Sequence, residues 1–192
     1  DAEGFFYAPD PSSQIICSVG GNVAENSGGV HCLKYGLTTN NLLGVEFVTI
    51  DGEILRFGGK HFDAAGYDLL GIVTGSEGML GMVTEVTVRL LPKPSIARAL
   101  LMGFPTNKSG ANCVADIIGR GIIPAGLEMM DRAAVSAAED YCNAGYPRDA
   151  ESMLIVELDG TETEVEELVQ EVSKIAKRNK SSSIKISKNE KQ

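Results

Sequence analysis

Residues 18–36, SVGGNVAENSGGVHCLKYG, combine the residue types that bind flat or anionic ligands through the main chain. The segment contains five glycines, two asparagines and no proline. Paired glycines allow positive φ angles and let the backbone approach a ligand closely, and successive main-chain N–H groups form nests for phosphate or ring oxygens. The alternative is a surface loop rich in turn residues. A second glycine series at Gly75, Gly78 and Gly81 favours a binding site.

The common nucleotide-binding and nucleophile motifs do not fit these segments. The first glycine segment lacks the Gly-Lys-Ser/Thr ending of a phosphate-binding P-loop, and no GxGxxG opens a helix after a strand. Ser76 does not lie in a GxSxG turn, and no pattern places a histidine beside it. The chemistry therefore points to main-chain binding of a ligand rather than to a serine nucleophile.

Three sequence blocks carry a resemblance to a known family. GGNVAENSGG, CLKYGLT and TGSEGMLGMVTEVTVRLLPKP resemble the flavin-binding domain of the vanillyl-alcohol-oxidase superfamily. Two further blocks, LKYGLTTNNLLGVEFVTIDGEIL and GIIPAGLEMMD, are similar to its glycolate-oxidising branch. The resemblance implies an α+β fold, with the second half of an FAD-binding domain at residues 1–94. Part of a ferredoxin-like cap domain is expected to follow at residues 95–192.

The resemblance also implies that the chain binds FAD without a covalent link. Pro9 and Asp10 would border the ring system, residues 18–26 would line the ring and ribityl chain, and residues 77–83 would approach the adenosine. Asn22 and Asn26 have a simpler alternative role as turn formers. Matched to the family pattern, the expected FAD-contacting residues are Pro9, Asp10, Ser18, Gly20, Gly21, Asn22, Ala24, Asn26, Gly29, Tyr35, Gly36, Glu77, Gly78, Gly81 and Val83.

The function implied by the resemblance is oxidation of a 2-hydroxy acid, with glycolate converted to glyoxylate. Electrons would pass to a second flavin-domain subunit and to an iron–sulfur subunit. D-lactate or D-2-hydroxyglutarate is an alternative substrate, and a non-catalytic scaffold subunit is an alternative from another class. The family's catalytic histidines and metal ligands belong to a later cap segment. We therefore expect His31 and His61 to be non-catalytic, no metal site here, and no turnover by this chain alone.

Composition restricts the partners and the compartment. The 192 residues carry a formal charge of −9, which argues against nucleic acid or an anionic membrane as the main partner. No run of eighteen apolar residues is present, so no membrane span is expected. The four cysteines are far apart and predict reduced, largely buried thiols in a cytoplasmic protein. The resemblance implies that any attachment to the inner membrane would be made through partner subunits. The start at Asp1, without methionine, predicts a piece of a longer protein.

The elements that position the glycine segments can be predicted from periodicity. Residues 45–57 predict a hairpin around Asp51-Gly52, with both strands inside a covered sheet. Residues 82–91 predict a further strand, and the segment PKPS at residues 92–95 predicts a domain boundary.

The second half of the chain predicts a repeated strand–helix–strand pattern. The units span 98–130 and 152–187, which together are typical of a ferredoxin-like sandwich. Between them Asp131 predicts the N-cap of a helix that ends near residues 145–147. Thr161 and Glu164 predict a capping box for the last helix, 161–178. Its predicted inner face is Val165, Leu168, Val169, Val172, Ile175 and Ala176.

Overall fold

The computed structural model describes residues 3–61 and 66–187, and the chain divides into two compact units, residues 1–93 and 94–192. Each unit has its own sheet, helices and buried apolar core. Every pairing between described strands is antiparallel. Helices and antiparallel strands therefore give the α+β fold that the sequence predicts.

The first unit is organised around one central strand. Its elements in chain order are β1 (Phe5–Phe6), α1 (Val19–Glu25), α2 (Cys32–Tyr35), α3 (Thr38–Asn41), β2 (Leu42–Thr49), β3 (Ile54–Gly58), α4 (Leu69–Val73), β4 (Gly81–Val88) and β5 (Leu91–Pro92). Strand β2 lies between β3 and β4, and β1 pairs with β5. The buried core of this unit consists of Val23, Leu42, Val45, Phe47 and Val73.

The predicted hairpin is present and sets the path between β2 and β3. The N–H of Thr49 donates to the carbonyl of Glu53 over 2.9 Å, and Gly52 has a φ of 83° in the turn. The prediction that both strands lie inside the sheet is wrong for β3. Among the described strands β3 lies at the sheet edge, and Ile54 at its start is exposed. Ile54 and Leu55 of β3 are therefore surface residues, whereas Phe57 packs against the core of this unit.

The second unit has the predicted repeated pattern with one helix inserted. Its elements are β6 (Ile96–Phe104), α5 (Asn107–Gly119), β7 (Gly126–Asp131), α6 (Arg132–Cys142), β8 (Ser152–Gly160), α7 (Glu162–Arg178) and β9 (Ser183–Ile186). The sheet order is β7-β8-β6-β9. Each strand–helix–strand unit thus contributes one central and one edge strand, which is the ferredoxin-like arrangement.

The core of the second unit lies between its sheet and the helices α5 and α7. Leu100 pairs with Val156 and Met102 pairs with Leu154 across the two central strands, and all four are buried. All six residues predicted for the inner face of α7 belong to this core or pack against it, which confirms the predicted helical period.

Two predictions about helix ends in the second unit are wrong. Thr161 is the N-cap of α7, but its side chain makes no capping hydrogen bond. Helix α6 begins after Asp131 as predicted, because the Asp131 carboxylate accepts the N–H of Ala134 over 2.8 Å. It ends earlier than predicted, at Cys142, because Asn143 takes a left-handed conformation with a φ of 48° and terminates the helix.

Candidate flavin-binding site

A groove of about 660 Å³ lies where the start of α1 meets the end of β2 and the start of β4. Three separate sequence segments meet in it, and two of them are the glycine segments singled out above. The residues lining it are Ser18, Gly20, Gly21, Ala24, Val48, Thr49, Ile50, Gly78, Gly81, Met82 and Val83.

Helix α1 approaches strand β4 directly through its backbone. The Ser18 side chain caps the helix by accepting the N–H of Gly21 over 3.0 Å, and Val23 anchors the helix in the core. A Cβ atom at Gly20 would lie 2.8 Å from the carbonyl oxygen of Val83. Any side chain at position 20 would therefore push the helix off the strand. Glycine is required here because two backbones meet.

The second glycine segment is tied to the end of the same helix. The N–H of Gly75 donates to the carbonyl of Val23 and the N–H of Glu77 to the carbonyl of Ala24, both over 2.9 Å. At Gly81, φ is 152° and a Cβ would lie 2.3 Å from the carbonyl oxygen of Val48. Main-chain hydrogen bonds to α1 therefore fix the position of residues 75–77. The absence of a side chain at Gly81 lets the start of β4 lie against β2.

The lining of this groove fits the ring system of a flavin better than a phosphate. Among the described residues that line it, none is charged, and the polar groups are hydroxyls and main-chain amides. Ile50 is 93% exposed and Met82 is 69% exposed beside it. A concave surface with apolar walls and a few neutral polar groups is typical of a site for a flat organic ligand.

The groove brings together part of the set that the resemblance implied. Val48, Thr49, Ile50 and Met82 also line it but were missed by the sequence reasoning. No local sequence signal identifies them, because it is the pairing of Thr49 with Gly81 in β4 that places the end of β2 beside the second glycine segment. The predicted residues that do line the groove are Ser18, Gly20, Gly21, Ala24, Gly78, Gly81 and Val83.

A second cluster contains predicted residues that do not line this groove. Pro9 is buried, and Asp10 follows it in the same extended segment. The Asp10 carboxylate lies 2.6 Å from Nδ1 of His31, and a Cβ at Gly29 would overlap the Asp10 main chain and carboxylate. The pairing of Asp10 with His31, twenty-one residues further along, was not predicted.

The remaining predicted residues fix the chain path around these two clusters. Asn26 terminates α1 with a φ of 49°, and its side-chain oxygen accepts the N–H of Thr39 over 3.0 Å. Asn22 is buried. The Tyr35 ring packs edge-on against Phe6, with ring centroids 5.5 Å apart. Of the predicted residues outside the groove, Glu77 adopts a left-handed conformation and Gly36 terminates α2. Their contact with FAD stays a prediction.

The cysteines are less buried than the sequence predicted. All four are free thiols, but only Cys113 is buried, and Cys142 on α6 is exposed. Burial, together with the charge of Asp116, raises the pKa of Cys113 to about 11. The thiol is therefore protonated at neutral pH and acts as a small core side chain.

Separate evidence comes from comparison with known proteins. A family model described as "FAD linked oxidases, C-terminal domain" matches residues 93–192, and one described as "FAD binding domain" matches residues 1–58. This chain belongs to the FAD-linked oxidases, whose cofactor is FAD. No helix among the described residues is long and apolar enough to cross a membrane.

Individual relatives agree with the family. Glycolate oxidase subunit GlcD of Escherichia coli strain K12 is 56% identical over 185 residues, which are 96% of this chain and 37% of that protein. D-lactate dehydrogenase of Archaeoglobus fulgidus is 37% identical over 155 residues, 80% of this chain and 34% of that protein. The chain thus spans little more than a third of the length of these relatives.

A solved structure supports the fold. The structure of alkyldihydroxyacetonephosphate synthase superposes with a TM-score of 0.78 at 21% identity, covering 94% of this chain and 35% of that one. At this identity the likeness concerns the fold only.

Proposed function

We propose that the protein carrying this chain is an FAD-dependent oxidase of a 2-hydroxy acid, with glycolate as substrate and glyoxylate as product. The observation that carries the proposal is the uncharged groove formed by the two glycine segments, in a chain of the FAD-linked oxidase family. The choice of glycolate rests on 56% identity to a relative named as a glycolate oxidase subunit. When bound, FAD would supply the acceptor for the hydride that leaves the α-carbon of the hydroxy acid.

The residues of this chain hold and orient the ring. Gly20 lies against Val83 of β4 and Gly81 lies against Val48 of β2 without side chains of their own, so main-chain groups would face a bound ring at these positions. Neutral amides and the Ser18 and Thr49 hydroxyls supply fixed dipoles that stabilise negative charge on a reduced ring. The exposed Ile50 and Met82 supply apolar contact area along one wall.

We further propose a division of labour within and beyond the chain. Residues 1–94 act as the C-terminal part of the FAD-binding domain and residues 95–192 as the first part of the cap domain. The base that removes the hydroxyl proton would come from residues outside this chain. The relative's name includes the word subunit, which supports a multi-subunit complex. We propose that its other members are a second flavin-domain subunit and an iron–sulfur subunit. The four cysteines here are far apart in sequence, so the cluster would belong to the partner.

D-lactate is the second candidate substrate, favoured by the relative named D-lactate dehydrogenase. The candidate substrates are distinguished by kcat/KM of the full-length protein, measured for glycolate, D-lactate and D-2-hydroxyglutarate with an artificial electron acceptor. We expect the highest value for glycolate. A higher value for D-lactate would reverse the assignment. A purified protein that retains flavin but reduces it with none of the three acids would favour a scaffold subunit.

The groove itself is tested by Gly20→Ala against Gly59→Ala. A Cβ at Gly20 would meet the Val83 carbonyl, whereas a Cβ at Gly59 would meet nothing within 4 Å. We expect Gly20→Ala to lose at least about tenfold in FAD affinity, equal to about 1.4 kcal/mol, and Gly59→Ala to bind as the parent protein does. Equal flavin content in the two variants would contradict the assignment of the groove.

A further inference from the structure

In the first unit, the carboxylate of Asp10 joins two segments that are separate in sequence. The segment of residues 8–11 contains three buried residues, and Asp10 is the partly exposed residue among them. The 8–11 segment lies against residues 28–31, which belong to the loop that follows α1. Both segments contain residues of the proposed flavin site, but neither lines the groove described above. Their contact therefore needs its own explanation.

The contact consists of two hydrogen bonds from one residue and one close packing. Nδ1 of His31 lies 2.6 Å from Oδ2 of Asp10, and the main-chain N–H of His31 donates to Oδ1 over 3.4 Å. A Cβ at Gly29 would lie 2.4 Å from the carbonyl oxygen of Asp10. The loop thus lies directly on the Asp10 main chain, and the imidazole closes the contact. Both side chains are about a quarter exposed.

The strength of this contact depends on the charge of the imidazole. Histidine is the side chain whose charge ordinarily changes between about pH 5 and pH 8. A charged imidazole and a carboxylate form a charge-assisted hydrogen bond, about twice as strong as one between neutral groups. Titratable groups near His31 include three on α2: Cys32, whose sulfur accepts the Gly29 N–H, Tyr35, whose ring is 6.5 Å from the imidazole, and Lys34, which lies over that ring.

We propose that Asp10 and His31 are a pair of positioning residues that clamp the 8–11 segment onto the 28–31 loop in a pH-dependent way. The clamp is tight while the imidazole is charged and loosens as the pH rises through the histidine range. Its consequence for flavin rests on the function proposed above: as the clamp loosens, these two segments lose their order, and FAD retention would become weaker in alkaline solution. The clamp itself needs no bound flavin.

The clamp is tested by amide hydrogen exchange of peptides covering residues 27–36 in the full-length protein, at about pH 6 and pH 8.5. Each variant is compared with the parent at the same pH, so the intrinsic pH dependence of exchange cancels. His31→Arg keeps a cation that pairs with Asp10 at both values, and His31→Gln keeps only a neutral donor. We expect His31→Gln to exchange about tenfold faster than the parent at pH 6, and nearly equally at pH 8.5.

His31→Arg should match the parent at pH 6 and exchange more slowly than it at pH 8.5. Asp10→Asn is a second test of the pair that does not require an arginine to fit at position 31. Its hydrogen exchange should resemble that of His31→Gln at pH 6. Asp51→Asn, an equal charge change in the exposed hairpin turn, is the control and should change nothing. A ratio of parent to His31→Gln that is the same at both pH values overturns the proposal.

A measurement of retained FAD distinguishes failure of this inference from failure of the proposed function. Retained FAD is measured over the same pH range, and the parent should lose flavin towards pH 8.5 while His31→Arg retains it. If the parent binds no FAD at any pH, the proposed function fails, but the exchange ratios still decide the clamp. If the parent retains FAD equally at both pH values, the proposed coupling between clamp and flavin is wrong.

Discussion

The two units of this chain use their apolar side chains in different ways. The second unit has a continuous core between its sheet and two helices, which includes fully buried residues such as Phe104 and Leu154. The first unit has a small core around Val23 and Phe47, and large apolar side chains such as Ile50 and Met82 lie at its surface. The exposed side chains of the first unit include two that line its groove.

If the groove binds FAD as proposed, stability and binding depend on separate parts of the sequence. Apolar area removed from water stabilises a fold by about 25 cal/mol per Å², and the second unit buries large apolar side chains such as Phe104 and Leu154 in its core. Apolar area left around a concave site is available to a ligand instead. Substitutions of core residues in the second unit should therefore lower stability, and substitutions of the exposed groove residues in the first unit should lower ligand binding.

The largest separation is expected between Phe104→Ala and Ile50→Ala. Phe104 is fully buried in the second core, and removing its ring should lower the free energy of unfolding by about 3–5 kcal/mol. Ile50 is exposed, so its removal should change unfolding by less than about 0.5 kcal/mol while weakening FAD binding. Calorimetry of both variants measures the loss of stability, and flavin titration measures the loss of FAD affinity. Similar losses of stability in the two would remove the distinction between the units.

A smaller effect is expected at two matched helix ends. Asn26 ends α1 and Asn143 ends α6, with φ values of 49° and 48°. Alanine at either position should cost about 1–2 kcal/mol because of its left-handed backbone. At Asn26 the loss of the acceptor for the Thr39 N–H should add about 1 kcal/mol. Glycine should restore stability fully at position 143 and only in part at position 26, as read from urea unfolding midpoints. Equal recovery at both would show that the Thr39 bond contributes nothing.

The smallest effect concerns acid stability of the second unit. Hydrogen bonds from Asn179 and from Arg178 hold the pKa of Asp116 below its ordinary value. Because the folded-state pKa is lowered, the contribution of this carboxylate is present above the unfolded pKa and is lost as the pH falls through the folded one. Asp116→Asn should therefore lower the urea midpoint slightly at pH 6 and flatten its decline on acidification. A decline as steep as that of the parent would contradict this account.

Much of the second unit could be predicted from the sequence because its elements are periodic. The inner face of α7 follows from apolar residues at helical spacing, and the strand–helix–strand repeat implies the sheet order. The end of α6 and the missing side-chain cap at Thr161 could not be predicted. Both depend on the backbone angles and side-chain orientation at a single residue, Asn143 in one case and Thr161 in the other. In the first unit β3 has the apolar residues of a covered strand but lies at an edge.

The sequence by itself determined the elements, the glycine segments and the family resemblance, because these depend on residue type and on spacing over short distances. Only the tertiary structure decided which of the glycines meet a strand, since this follows from the pairing of β2 with β4. It also decided that Val48, Thr49, Ile50 and Met82 complete the groove and that Asp10 meets His31. Contacts between residues distant in sequence depend on how the chain packs, and local patterns do not encode that packing.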